Sequence, residues 1–164
     1  MADQLDQPAR DRRARAQRNQ LLEYLAFRLD TGVFAVQVDR IGEILRIPPV
    51  TTVPRAPDFV MGIVGVRGRV LTVIDLRSRL RLACPNPTRH ARILVVPAGS
   101  PDPVGLYVDE VLHVYRFDEA DIEPAGRALG SDSGEHVAGI ARIDDLLVVV
   151  LRLDQLLALG VSSS

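Results

Sequence analysis

The stretch Pro54–Leu80, PRAPDFVMGIVGVRGRVLTVIDLRSRL, decides how the rest of the chain is read. Met61 to Val66 and Val70 to Ile74 are β-rich runs, and the Arg67-Gly68-Arg69 between them is short and holds a glycine able to take φ > 0. They predict a hairpin with arginines at its tip. Asp75 then stands where an N-cap would, its carboxylate able to accept from the free N–H groups of a short helix over Leu76 to Leu80. Pro48, Pro49, Pro54 and Pro57 predict an extended surface loop leading into the hairpin. Gly62, Gly65 and Gly68 superficially form a phosphate loop. They fall within and at the end of a strand with no helix N-terminus behind them, and are read as barrel-bend and turn glycines. No nucleophile or base accompanies the tip arginines, so the segment suits contact with a protein partner better than bond-breaking chemistry.

Outward from this stretch, the strand pattern continues. YLAFRL from Tyr24, the turn Asp30-Thr31-Gly32 and VFAVQV predict a first hairpin. Asp39 to Leu45 reads as a helical turn capped by Asp39 passing into a strand. Further strands are predicted over Arg92 to Val96, Val104 to Val108 and Val111 to Phe117. A last hairpin follows over Val137 to Ile143 and Leu146 to Leu151, turning at Asp144-Asp145. Asp118 to His136 reads as a crossing loop with a short helical turn near Asp118, and Leu153 to Leu159 as a short helix stopped by Gly160. Nine or ten short strands with few helices point to one or two small β-barrels that close their own edges. LLVVVL, Leu146 to Leu151, is apolar on both faces and is placed where two barrels meet. The core is expected around Val73, Ile74, Val95 and Val149.

Composition narrows the function. At 164 residues, 47% hydrophobic and 25% charged, the chain suits one domain or two closely packed subdomains and neither a disordered nor a fibrous class. The net charge of -1 removes the long-range pull of nucleic acid or an anionic membrane. No run approaches the roughly 18 apolar residues of a membrane helix, and the polar N-terminus has no apolar segment behind its charges, so a cytoplasmic home is expected. Cys84, the single cysteine, has no partner for a disulfide or a CxxC site and fits a reducing compartment. His90, His113 and His136 share no metal-type spacing, and no GxSxG elbow or SxxK pair occurs. All 20 basic residues are arginine, which excludes lysine Schiff-base and P-loop chemistry. Neither a catalytic residue nor a metal or cofactor is expected. Residues 1–20 read as a flexible Arg-bearing arm, 21–160 as the folded domain and 161–164 as a tail.

YLAFRLDTGVFAVQVDRIGEIL, the Pro54–Leu80 stretch, VGLYVDEVLHV and LLVVVLRLDQLL together resemble, in order and spacing, the CheW-like coupling proteins of bacterial chemosensory arrays, over about Tyr24 to Leu159. The resemblance implies two SH3-like five-stranded β-barrel subdomains sharing a hydrophobic core. It also implies a non-enzymatic adaptor in the cytoplasm, joining the cytoplasmic tips of methyl-accepting chemoreceptors to the regulatory domain of the histidine kinase CheA, with room for other CheW-like domains as partners. By position it assigns Ile41, Glu43 and Arg67 to the receptor and Val70 to the kinase. Val66, where many members carry asparagine or another residue, and the Arg-rich arm depart from the family pattern. A small-barrel nucleic-acid or ligand-binding module is the alternative. Aromatic residues at 4% are too sparse for the stacking platform that single-stranded nucleic acid needs.

Overall fold

The period-two alternation resolves into eleven strands among the described residues of the computed structural model, 21–98, 102–124 and 136–158. They are β1 (Leu22–Leu29), β2 (Gly32–Gln37), β3 (Glu43–Arg46), β4 (Val60–Val66), β5 (Arg69–Asp75), β6 (Arg92–Val96), β7 (Val104–Val108), β8 (Glu110–Phe117), β9 (Ile122–Pro124), β10 (Val137–Ile143) and β11 (Leu146–Leu151). Two short helices follow hairpins, α1 (Leu76–Arg79) after β5 and α2 (Leu153–Ala158) after β11. The count exceeds nine or ten because Ile122–Pro124, read as part of a crossing loop, pairs with Gly139 to Ala141. The arm 1–20, the tail 161–164, Gly160 and the loop 125–135 lie outside the described residues. Near Asp39 the expectation is corrected. Val38–Arg40 forms a 3-10 turn that begins after Gln37, and Asp39 sits inside it as a first-turn acid rather than as its cap.

The strands form two sheets, β8-β1-β2-β11-β10-β9 and β3-β6-β7-β5-β4. In each, the strand at one end of the order runs on into the segment at the other end, which closes a barrel. β8 leads through a 3-10 turn capped by Asp118 into β9, and β3 leads through the proline-rich loop to Thr51, which pairs with Ile63 of β4. Closure leaves few free edges, as barrels require. The six-stranded barrel has one strand more than the resemblance implies.

Strands where the barrels meet are apolar on both faces. Along β1, Tyr24 and Ala26 fill the six-stranded barrel with Val33, Ala35, Phe117, Val148 and Val150. The alternate residues Leu25, Phe27 and Leu29 point the other way, into a shared core with Ile74, Leu94, Val96, Leu106, Val108 and Leu151. The five-stranded barrel has its own interior of Val64, Leu71, Val73, Ile93 and Tyr107. A fully buried Leu or Phe contributes about 1.5–3 kcal/mol, so the shared core is a major part of what holds the barrels together. β11 fits its expected place only in its C-terminal half. Val148, Val150 and Leu151 are buried, whereas Leu146 and Leu147 are exposed. Val73 and Ile74 are buried as expected; Val95 and Val149 are only half-buried, Val95 against the interior of the five-stranded barrel and Val149 against the shared core.

The two barrels repeat one unit. β4, β5 and α1 match β10, β11 and α2 position for position: Gly62 and Gly139 lie at the same bulge, and Arg67 and Asp144 both begin the turn with φ near +50°. β5 then pairs in parallel with β7, as β11 does with β2. Each bulge glycine has the same reason. A Cβ on Gly62 would lie 2.3 Å from the Thr51 carbonyl oxygen, and one on Gly139 would lie 2.2 Å from that of Glu123. Both seams close only because backbone meets backbone there.

A buried polar link also fastens barrel to barrel. Arg77, 3% exposed, donates to both Asp75 oxygens (Nε 3.0 Å, Nη2 2.9 Å), and through Nη1 to Asp109 (2.9 Å) and the Pro85 carbonyl (2.7 Å). Its guanidinium lies 4.4 Å above the centre of the Tyr107 ring. The other Asp109 oxygen accepts from the Asp30 amide at 2.7 Å, in the β1–β2 turn of the opposite barrel. Burial alone would lower the Arg77 pKa, but the hydrogen bonds and charge of Asp75 raise it overall, so the cation is secured. Burial pushes the Tyr107 phenol up to about 12, against the opposing pull of Arg77.

Candidate functional site

The β4–β5 hairpin turns in two residues, with Val66 opposite Arg69 and positive φ at both Arg67 (49°) and Gly68 (78°). These are the signs of a type I′ turn, whose twist matches that of the strands it joins. The turn therefore holds Arg67 on a stiff tip, in a conformation that an arginine adopts at a cost. Its guanidinium is ion-paired with Glu43, the first residue of β3. The Arg67 side chain remains 72% exposed, and an exposed pair of this kind is worth about 0.2–1 kcal/mol. Such a pair can be exchanged for one with a partner at small cost.

Val70 follows on the outward face of β5 and is 61% exposed. Glu43, Arg67 and Val70 line one hollow of about 320 Å³ with Leu45, Val66 and Pro103. Ile41 is not brought into it. It ends the 3-10 turn and is half-buried against the shared core, so its role in the fold is packing. A second hollow, of about 420 Å³, lies on the six-stranded barrel between Tyr24, Gln37 and α2. Arg40 of its rim donates to Asp154 at 2.6 Å and holds that carboxyl below its ordinary range.

Partial burial and the Asp75 carboxylate raise the pKa of the exposed Cys84 thiol, the opposite of what an activated cysteine needs. Among the described residues, no group of three or more His, Cys, Asp or Glu could hold a metal ion, and no helix is long and apolar enough to cross a membrane. Asp75 caps α1 as expected, accepting from the Arg77 amide at 3.0 Å. The partnership of Asp75, Arg77 and Asp109 was not read from the sequence. Its one local signal is the Asp-x-Arg spacing at the cap, which sets both side chains on one side of the first turn.

The chain as a whole has relatives among known proteins. The model of the CheW-like domain matches residues 23–160. The chain belongs to the CheW-like family. This CheW-like chain is 30% identical over 133 residues to the chemotaxis protein CheW of Rhizobium meliloti, covering 80% of the chain and 84% of the relative. It is 35% identical over 135 residues to protein FrzA of Myxococcus xanthus, covering 82% of each. Among solved structures, the scaffolding protein TtCheW from Thermoanaerobacter tengcongensis superposes with a TM-score of 0.74 at 29% identity, over 83% of this chain and 87% of that one.

Proposed function

We propose that this chain is a non-enzymatic scaffold of a chemosensory array, coupling the cytoplasmic tip of a chemoreceptor to the regulatory domain of a CheA-type histidine kinase. Arg67, Glu43 and Ile41 are assigned to the receptor side and Val70 to the kinase side, with the protein acting in the cytoplasm at the arrays. The observation that carries this reading is the hairpin tip, where an exposed arginine on a stiff turn adjoins an exposed valine. Arginine's planar donor fork suits a carboxylate or carbonyl on a partner, and an apolar patch beside it supplies area to bury. The working unit is assigned to residues 21–160, with residues 1–20 dispensable.

The test is reconstitution of receptor tips, kinase and this protein, read by co-sedimentation and by kinase activity. Arg67→Glu is expected to weaken receptor binding by more than about 2 kcal/mol and leave kinase binding nearly unchanged, and Val70→Glu to do the reverse. Normal receptor affinity in Arg67→Glu would remove this residue from the site. Catalysis by the protein alone, or receptor control of the kinase that needs no added protein, would sink the scaffold reading.

A further inference from the structure

At the far end of β3 from Glu43 lies a hollow of different character. It measures about 470 Å³ and is lined by Arg46, Ile47, Pro87, Arg89, His90 and Arg92 among others, with no carboxylate in the lining. The hollow beside Arg67 holds Glu43, and the one beside Tyr24 holds Asp154. Arg46 and Arg92 are direct partners across the antiparallel β3–β6 pair. Like charges so placed repel. Among the described residues, no carboxylate forms an ion pair with Arg46, Arg89 or Arg92. Arg92 is half-buried and spends Nη1 on the Arg89 and Ala91 carbonyls, at 2.9 and 2.8 Å, which fixes the backbone that carries Arg89 and His90. The Thr88 hydroxyl accepts from the His90 amide at 3.2 Å and tightens the same turn.

We propose that this hollow is a docking site for an acidic segment of a partner protein, rich in Asp or Glu. Unpaired guanidinium groups fit carboxylates with two parallel hydrogen bonds, and a cleft lined by one sign of charge concentrates counter-charge. Ile47 and Pro87 give apolar ground for the stems between the charges. The site is open and its lining mostly exposed, whereas a small-molecule pocket encloses its ligand. No Phe, Tyr or Trp lines it, and the single His90 ring falls short of the run of stacking platforms that a single strand uses. The segment is foreign to the chain's own arm, which carries five arginines against three aspartates. The proposal stands apart from the coupling role, since it uses neither Arg67 nor Val70.

The full chain is titrated, by fluorescence anisotropy, into a labelled ten-residue peptide of alternating Glu and Gly and into its Gln counterpart. The Glu peptide is expected to bind and to weaken steeply with salt, and the Gln peptide to show no binding. Arg46→Gln with Arg89→Gln should weaken the Glu peptide about tenfold or more, while Arg67→Glu leaves it unchanged. Arg46→Gln alone should hold or raise the melting temperature, because it relieves the pair with Arg92; this separates lost binding from lost folding. Equal affinity in the double variant, equal binding of the Gln peptide, or no binding of either peptide overturns the proposal. Tighter binding of a single-stranded oligonucleotide or of phosphatidylserine vesicles than of the Glu peptide overturns it as well.

Discussion

Arg77 is one of 20 arginines, and its neighbours Arg79 and Arg81 look no different in the sequence. Beyond its spacing from Asp75, the fold sets it apart by burying it between Asp75, Asp109 and Tyr107. Removing one partner of a buried pair leaves the other charge without water or counter-ion. Arg77→Leu is therefore expected to cost about 3–5 kcal/mol in chemical denaturation. The Tyr107 phenol makes a second test. Its folded pKa of about 12 lies above the 10.0 of an ordinary tyrosine, so from about pH 10 upward the unfolded chain gives up its proton first. Stability from this group is full below about pH 10 and is lost as pH rises toward 12, which denaturant titrations at stepped pH will follow. Tyr107→Phe should flatten that decline.

The β4–β5 hairpin was legible because its signals are local: two β-rich runs, a glycine for the turn and an Asp cap. What could not be read was the different standing of its three glycines. Gly65 has nothing within 4 Å of a would-be Cβ, while Gly62 has φ of 153° and the Thr51 carbonyl against it, a contact made by a loop eleven residues upstream. Gly62→Ala is expected to destabilise by several kcal/mol and Gly65→Ala to stay within about 1 kcal/mol, measured by thermal melting. The turn offers a sharper contrast. Arg67→Gly relieves the left-handed backbone and should hold or raise stability by up to about 1 kcal/mol, whereas Arg67→Ala keeps it. If both variants lose receptor binding while only the glycine variant gains stability, the tip arginine is held there against the preference of its own backbone. The receptor and kinase assignments of Ile41, Glu43 and Val70 came from family position; Glu43 and Val70 line the hollow beside Arg67, while Ile41 is half-buried against the shared core.

The scale of the whole molecule carries the prediction for the shared core. Ile74, 6% exposed and facing both barrels' common interior, should cost about 2–5 kcal/mol when cut to alanine. Because that core belongs to both barrels, they should melt in one transition, and two separated calorimetric peaks would contradict it. Pattern alone revealed many short strands and a doubly apolar LLVVVL run. It did not reveal which strands join, since parallel pairs such as β2 with β11 and β5 with β7 link segments far apart in the chain. That pairing also sets an order of events at the ribosome. Everything in the five-stranded barrel lies between Glu43 and Val108, so this half can close while the chain is still being made. The β1–β2 hairpin emerges earlier, yet the strand that covers its open edge, β11, is among the last to appear. The oldest hairpin of the nascent chain is thus the longest exposed, and a translational pause before Leu146 would leave a bare, apolar strand edge open to chaperones or to a neighbouring nascent chain.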